Sequence, residues 1–389
     1  MRLSATALLL VLAPIAAEAS PYRLRGDAFV QAQEPTGALI LDGQGEVTKE
    51  LGVEVFVWGG VGGVPNPEAD LLVAALRYRD PEGRAEVRAG RIVLAAGALR
   101  PLHMDGVTAF GRAPWGGTAL QAFTGITVAP RFSERGWDWL VGGRLSQQIG
   151  IGVVGVAYLQ QRDHGQIADH EVALDLTMYP VSWLDLALRG AYDLAHPGLS
   201  EAILTAAAQA GDLRLEIKGV QRSPTRLLPA TSLFTVLGDL AFRSAAGQAR
   251  WRVAPRLDLV AGAGARFFDE DAYEDVTGQV LLRLGDHADD GQIGVEVRRQ
   301  GAPEGGWLGA RLTARVPING ALFASSEIEL VRPDEPRARG ELWPWALLGI
   351  SWYVVPSWEM AIAAEGNMSP EAKSSFDVLV RLAYLWSDT

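Results

Sequence analysis

The sequence has no cysteine among its 389 residues, so disulfide bonds contribute nothing to its stability. After the N-terminal region it also has no apolar run close to the roughly 18 residues that a membrane-crossing helix needs, which excludes a helical membrane protein. Positive charge is scarce as well. The net charge is −11 at pH 7, whereas proteins that bind nucleic acids concentrate positive charge against the phosphates. We therefore expect no nucleic-acid partner.

Sequence patterns of catalytic, cofactor and metal sites are missing too. The five histidines form no zinc-type pair at helical spacing, and there is no Gly-x-Ser-x-Gly elbow or phosphate-binding glycine loop. Two charge-rich connectors, at 163–170 and 269–275, carry possible ligands for a divalent ion, but neither has the spacing of a known calcium loop. We predict no catalytic residue, no cofactor and no metal, and therefore no enzyme.

The first 19 residues have the features of an export signal. Arg2 provides a positive start, the segment 5–16 is almost wholly apolar, and Ala17-Glu18-Ala19 fits the small-x-small cleavage rule. The apolar run is too short to anchor the chain in a bilayer. We predict a cleaved signal peptide at 1–19 and a single domain at 20–389, because no change in composition marks a second domain.

The dominant hydrophobic period in the rest of the chain is two residues. In the segment 212–218, Leu213, Leu215 and Ile217 share one face of a strand, while the charged residues between them share the other. Similar segments of about 8 to 11 residues recur to the C-terminus, the length of a tilted membrane-spanning strand. The pattern predicts an all-β chain, a closed antiparallel up-and-down transmembrane β-barrel of about 22 strands, with 18 to 22 acceptable. The alanine-rich segment 200–209 leaves a helix open as an alternative.

Short turns alternate with longer polar connectors, as in barrels that have periplasmic turns and extracellular loops. Short turns lie near 112–117 and 355–357, longer connectors near 161–170 and 223–238, and the nominal turn at 284–291 is longer than its peers. Tryptophans fall within a few residues of predicted strand ends, where aromatic girdles contact the membrane interface. They are Trp58, Trp115, Trp183, Trp251, Trp307, Trp352, Trp358 and Trp386.

With these features, the segment after the signal peptide resembles Gram-negative outer-membrane β-barrel proteins, especially porin-like ones. Arg88-Ala-Gly-Arg91, followed by a polar loop and then Asp105-Gly106, looks like the strand-loop-strand pattern of substrate-selective porins. The apolar face of 376–386 is similar to the C-terminal signal read by the barrel-assembly machinery, although three residues follow its last aromatic residue here. The resemblance implies an outer-membrane location, with the lipid bilayer and the assembly machinery as partners.

A barrel of this size has a lumen too wide for strand side chains to fill, so water or inward-folded loops must occupy it. The apolar connector 223–238 is a candidate constriction. If the apolar face contacts lipid, the opposite face supplies a mixed, slightly basic pore wall. The candidate pore-lining residues are Arg77, Arg88, Arg189, Arg214, Glu216, Lys218, Asp258, Arg266, Arg283, Glu296, Arg298, Arg311, Arg315, Glu327, Glu329 and Arg381.

The predicted function is an outer-membrane channel for passive or facilitated diffusion of small hydrophilic solutes. The slightly basic wall favours weak anion preference or none. One alternative is a non-transporting barrel with a plugged lumen that acts as a surface or structural protein, and a less favoured one is an outer-membrane enzyme. A soluble secreted β-protein would need a second sheet to bury its apolar face.

Overall fold

The computed structural model describes residues 22–32, 36–62, 64–128, 135–223, 242–268, 271–287, 290–302, 305–335, 341–368 and 374–387. Three sequence-based predictions lie wholly or largely outside this part of the chain. They are the signal peptide at 1–19, the constriction at 223–238 apart from Ser223, and the first two acidic residues of the connector 269–275.

The described part of the chain forms 22 strands. They are β1 (Tyr22–Gln31), β2 (Thr36–Glu46), β3 (Leu51–Gly62), β4 (Val64–Arg79), β5 (Ala85–Leu94), β6 (Leu102–Arg112), β7 (Thr118–Val128), β8 (Arg135–Ile149), β9 (Gly152–Asp163), β10 (Gln166–Val181), β11 (Leu184–Asp193), β12 (Gly198–Ala210), β13 (Leu213–Arg222), β14 (Phe242–Ala254), β15 (Leu257–Phe268), β16 (Asp271–Arg283), β17 (Gln292–Gln300), β18 (Trp307–Asn319), β19 (Leu322–Pro333), β20 (Trp343–Val355), β21 (Trp358–Asn367) and β22 (Ser375–Ser387).

Each strand pairs antiparallel with the next one in sequence, and β22 pairs antiparallel with β1. At this seam Arg23 lies opposite Ser387 and Gln31 lies opposite Leu379. The sheet is therefore closed, so it has no edge strand whose backbone groups need a partner. The predicted closed antiparallel barrel is confirmed, and the alanine-rich segment 200–209 lies in strand β12.

No helix in the described ranges is long and apolar enough to cross a membrane. Two-residue turns such as Gly211-Asp212 connect several strands at one end of the barrel, the end at which β1 begins and β22 ends. Gly211 has a φ of 59°, a value that a tight hairpin turn requires and that glycine adopts without strain. We call this the short-turn end.

The two faces of the barrel differ because side chains alternate along each strand. On the face that we call the outer face, large apolar side chains are exposed, including Ile217 at 58% and Trp251 at 52%. On the opposite face, which we call the inner face, Leu140 and Leu159 are completely buried. All described strands belong to one sheet, so no second sheet covers the outer face as the soluble alternative requires.

Not all the tryptophans lie in an outer girdle. Trp251 and Trp352 are on the outer face near strand ends, as expected. Trp307 is on the inner face instead, because its ring packs 4.6 Å from the guanidinium carbon of Arg298. Trp58 also has inner-face parity: it lies opposite Ile40, which lies opposite Asp27, the partner of the inner-face residue Arg381. The girdle prediction is wrong for these two residues.

Candidate functional site

All sixteen candidate pore-lining residues have the parity of the inner face. Cross-strand pairs establish this parity: Glu296 lies opposite Arg311, and Arg311 lies opposite Glu329. The same alternation places Leu215 and Ile217 outside and the charged residues between them inside. The pattern thus brings the candidates to one face, where we predict the pore wall to lie.

Strands β17, β18 and β19 hold charges of both signs that neutralise one another. Arg298 is hydrogen-bonded to Glu329, and Arg311 is paired with Glu327 on the neighbouring strand. Glu296 lies 3.7 Å from Arg298 and adds a second carboxylate to this group. Such cross-strand pairs hold the side chains in place on a sheet surface.

Near the short-turn end, by contrast, arginines outnumber carboxylates. Asp258 is shared by three guanidinium groups, those of Arg250 at 2.5 Å, Arg252 at 3.3 Å and Arg283 at 3.4 Å. A single carboxylate cannot neutralise three positive charges. This part of the inner face therefore has a positive charge that the composition of the whole chain does not show.

The remaining candidates are distributed around the barrel and mostly paired. The ion pairs are Arg77 at 3.6 Å from Glu54, Arg88 hydrogen-bonded to the same carboxylate, Arg189 at 3.1 Å from Glu201, Arg214 at 3.6 Å from Glu216, Arg266 at 2.8 Å from Asp275, and Arg381 at 2.7 Å from Asp27 across the seam. Arg315 lies 4.7 Å from the centre of the Phe323 ring, and Lys218 lies on the inner face of β13.

The main functional feature that sequence reasoning missed is the β5–β6 connection. We call residues 91–104 the inner hairpin, because its tip lies against the inner face of β7 to β11. Leu99 at the tip is 2% exposed, and it belongs to one apolar cluster that includes residues of these five strands. The cluster contains Ala75, Ile92, Leu94, Ala96, Ala98, Leu99, Leu102, Met104, Phe123, Leu140, Ala157, Leu159, Ala173 and Ala191.

A buried ion pair holds the tip of the inner hairpin. Arg100 lies 2.7 Å from Asp169 and 2.8 Å from Glu171, two residues of β10. Glu171 is completely buried and Arg100 nearly so. Desolvation opposes the charged form of Arg100, but the charges of Asp169 and Glu171 outweigh it, so the pKa of Arg100 is raised above its ordinary value. The two carboxylates therefore stabilise the charge that a guanidinium group carries throughout proteins.

A second group of polar contacts holds the base of the inner hairpin. Arg91 makes two hydrogen bonds to Asp105, of 2.8 and 2.9 Å, and donates a third to the backbone oxygen of Leu71 at 3.0 Å. The Nε2 atom of His103 lies 2.8 Å from the backbone oxygen of Leu72. The hairpin is thus connected to β4 at its base and to β10 at its tip.

One glycine permits this packing. Gly97 has a φ of 59°, and a Cβ at this position would collide with Asp175 and Arg144, which form an ion pair of 2.5 Å on the inner face. The turn therefore passes directly over this ion pair. A side chain at position 97 would be disfavoured both by the backbone conformation and by the close contact.

The expectation of a polar loop between Arg91 and Asp105 is wrong. The residues from Ile92 to Met104 extend both strands and form a mostly apolar, buried turn. The signal was present in the run from Ile92 to Leu99, which contains no charged residue and is too apolar for a solvated loop.

The connector 161–170 is not a long loop either. β9 continues to Asp163 and β10 begins at Gln166, so the two strands join through a two-residue turn at His164 and Gly165, both with positive φ. Asp169 is bound to Arg100, whereas His170 contacts the hydroxyl of Tyr158 at 3.0 Å. Within the described ranges, no group of three or more potential metal ligands is found.

No protein-family model matches this chain, and no curated protein matches it in sequence. Among solved structures, the siderophore receptor PirA from Pseudomonas aeruginosa has a TM-score of 0.62 at 10% identity, covering 94% of this chain and 80% of that chain. The P pilus usher (PapC) translocation pore has a TM-score of 0.53 at 9% identity, covering 95% and 99%. At such low identities the similarity shows the fold alone, a closed antiparallel β-barrel.

Proposed function

We propose that the protein is an outer-membrane channel for passive or facilitated diffusion of small hydrophilic solutes, narrowed from one side by the inner hairpin. The observation that carries the proposal is the unequal cover of the inner face. Beneath the hairpin, apolar side chains of this face on β7 to β11, such as Leu140, Leu159 and Ala173, are buried. On β13 and β14, the side chains of Arg214, Arg250 and Arg252 are 47%, 50% and 48% exposed.

Exposed guanidinium groups inside a barrel need water, because an unsolvated charge is strongly disfavoured. A barrel of 22 strands also encloses more space than its own inward side chains fill. A hydrated path past β13 to β19 therefore fits both the size of the barrel and the chemistry of its wall. In this proposal the sixteen candidate residues line the inner face, twelve of them along this path and Arg77, Arg88, Arg189 and Arg381 on other strands. No residue has a catalytic, cofactor-binding or metal-binding role.

The surroundings of the barrel are part of the same proposal. The outer face exposes apolar side chains on strand after strand, and a lipid bilayer is the solvent that would cover them. Residues 1–19 would direct export, and the apolar face of β22 would be recognised by the barrel-assembly machinery. The partners that we propose are thus the outer-membrane bilayer, the assembly machinery and a small hydrophilic solute.

A plugged, non-transporting barrel is the second candidate, and the inner hairpin favours it. Apolar packing fixes the hairpin on the inner face together with a buried ion pair at each end, Arg91 with Asp70 at 3.7 Å and Arg100 with Glu171 at 2.8 Å, as in a permanent plug. The two candidates differ in one respect that is simple to measure. A channel lets small uncharged solutes cross the membrane, and a plugged barrel does not.

Swelling of liposomes that contain the folded protein tests the channel. We expect rapid swelling in arabinose and progressively slower swelling in the larger sugars raffinose and stachyose. Heat-modifiable gel mobility of the same preparation serves as the control for folding. Folded protein that produces no swelling in any of these sugars would contradict the channel and support the plugged barrel.

A further inference from the structure

A row of polar side chains crosses four strands near the short-turn end of the inner face. Arg283 lies opposite Gln292, which lies opposite Arg315, which lies opposite Ser325. Neighbouring strands are about 4.8 Å apart, so the two arginines start about 10 Å apart with the Gln292 amide between them. This spacing leaves room for a small group between two positive charges.

Arg315 differs from its neighbours because no described carboxylate forms an ion pair with it. Its guanidinium carbon lies 4.7 Å from the centre of the Phe323 ring. Arg283 is also incompletely satisfied: its Nε is buried without a hydrogen-bond partner, and its contacts with Asp258 are 3.4 Å long. Of the two, Arg315 lines the cavity described next, so its guanidinium group is the one that a ligand can reach.

Arg315 also borders a cavity of about 180 Å³ on the inner face. This is roughly six times the ~30 Å³ that one water occupies in the liquid, so the cavity can hold a small hydrated anionic group. Its lining includes the amide of Gln292 and the hydroxyl-bearing Thr313 and Ser325. Glu327 also lines the cavity, but its charge is neutralised by Arg311.

The charge around the cavity favours an anion. On strands β14 to β16, which precede the cavity strand β17 in the sheet, three arginines share the single carboxylate of Asp258, and Arg315 adds a further positive charge. Guanidinium groups bind carboxylate and phosphate through two parallel hydrogen bonds, and hydroxyl and amide groups complete the coordination of the remaining oxygens.

We propose that this cavity, which we call the Arg315 site, binds the carboxylate or phosphate group of a solute. Arg315 would provide the principal charge, and Gln292, Thr313 and Ser325 would donate further hydrogen bonds. The inference rests on the proposed channel function insofar as solutes reach the site through the lumen. The Arg315 site would therefore make solutes with a carboxylate or phosphate group the class that binds to the inner face.

The test is phosphate binding to the folded, detergent-solubilised protein, measured by calorimetry and by the phosphate-dependent rise in thermal unfolding temperature. Sodium chloride at equal ionic strength is the reference, and acetate in a parallel series distinguishes a carboxylate from a phosphate preference. Loss of a charged hydrogen-bonding pair corresponds to about 1.5 to 3 kcal/mol. We therefore expect Arg315→Gln to weaken binding by about tenfold or more.

Arg256→Gln is the matched control. Arg256 is half exposed in the β14–β15 turn, where it pairs with Asp286 near the same end of the barrel, so its loss changes the net charge equally without altering the cavity. We expect its phosphate affinity to stay within about twofold of the unsubstituted protein, since exposed pairs contribute little. Equal losses in both variants, or no oxyanion effect beyond that of chloride, would overturn the Arg315 site.

The binding assay does not require conduction, so the two proposals can fail separately. Oxyanion binding that depends on Arg315, in a protein that produces no liposome swelling, would support the Arg315 site and overturn the channel. Swelling without oxyanion binding would support the channel and overturn the site.

Discussion

Arg100→Gln should release the tip of the inner hairpin from the inner face. The substitution removes the positive charge that lies 2.7 Å from Asp169 and 2.8 Å from Glu171. Glu171 is completely buried, so water cannot replace the lost partner while the hairpin remains docked. The docked state would then contain an uncompensated buried carboxylate, which undocking exposes to water.

The expected magnitude follows from the burial of this ion pair. Removing one partner of a buried pair destabilises the structure that contains it by about 3 to 5 kcal/mol. At 1.36 kcal/mol for each factor of ten, the ratio of docked to undocked hairpin falls by roughly two to three and a half orders of magnitude. Because the apolar contacts of Leu99 and its neighbours remain, we expect exchange between the two states and not complete loss of docking.

Thiol labelling measures this exchange directly because the chain contains no cysteine of its own. Ala98→Cys places a single thiol at a position that is 1% exposed when the hairpin is docked. We expect slow labelling of this variant alone and labelling faster by about 100-fold or more after Arg100→Gln, because 3 kcal/mol corresponds to about two factors of ten. In planar bilayers the Arg100→Gln channel should show larger and more variable conductance.

Two controls make the result specific. Arg84→Gln removes the same charge from an exposed turn, where Arg84 pairs with exposed Glu82, and should change neither readout. Adding Glu171→Gln to Arg100→Gln removes the buried charge and should restore part of the protection of the thiol at position 98. Unchanged labelling after Arg100→Gln, in a protein that still folds, would refute the role of this ion pair.

Two further predictions concern the faces of the barrel and the hairpin turn. Ile217→Arg, on the outer face, should lower the free energy of unfolding in lipid vesicles by about 2 to 4 kcal/mol, measured by urea titration. Gln248→Arg, on the inner face of the neighbouring strand β14, should change this free energy by less than about 1 kcal/mol. Equal losses would contradict the assignment of the faces. Gly97→Ala should disfavour docking by at least about 1 to 2 kcal/mol of backbone strain, with a further penalty from contact with Asp175, and should accelerate thiol labelling in the Ala98→Cys background. Labelling as slow as in Ala98→Cys alone would show that the turn tolerates a side chain there.

Much of the barrel could be predicted because its main determinant is local. The alternation in 212–218 specifies a strand and also which side chains share a face, since a shift of one residue would exchange the faces. Antiparallel pairing of consecutive strands then places Glu296, Arg311 and Glu329 side by side, so no contact between residues distant in the sheet has to be predicted. The strand count and the shared face of the candidate residues both follow from this period.

The inner hairpin could not be predicted in the same way because its contacts are distant in sequence. Arg100 and Glu171 are 71 residues apart, and strands β7, β8 and β9 lie between the hairpin and β10 in the order of the sheet. A period of two gives no information about such a contact. The ends of β9 and β10 next to their turn were predicted as a loop for a different reason. Residues 164–168 are exposed and lack the alternating apolar face on which the strand prediction depends.

Single-channel recording of the unsubstituted protein in a planar bilayer tests the channel most directly. We predict discrete, reproducible conductance steps in potassium chloride, with weak anion preference in the reversal potential under a salt gradient, because arginines exceed carboxylates on the exposed inner face. An electrically silent bilayer that contains protein with heat-modifiable gel mobility would contradict the channel.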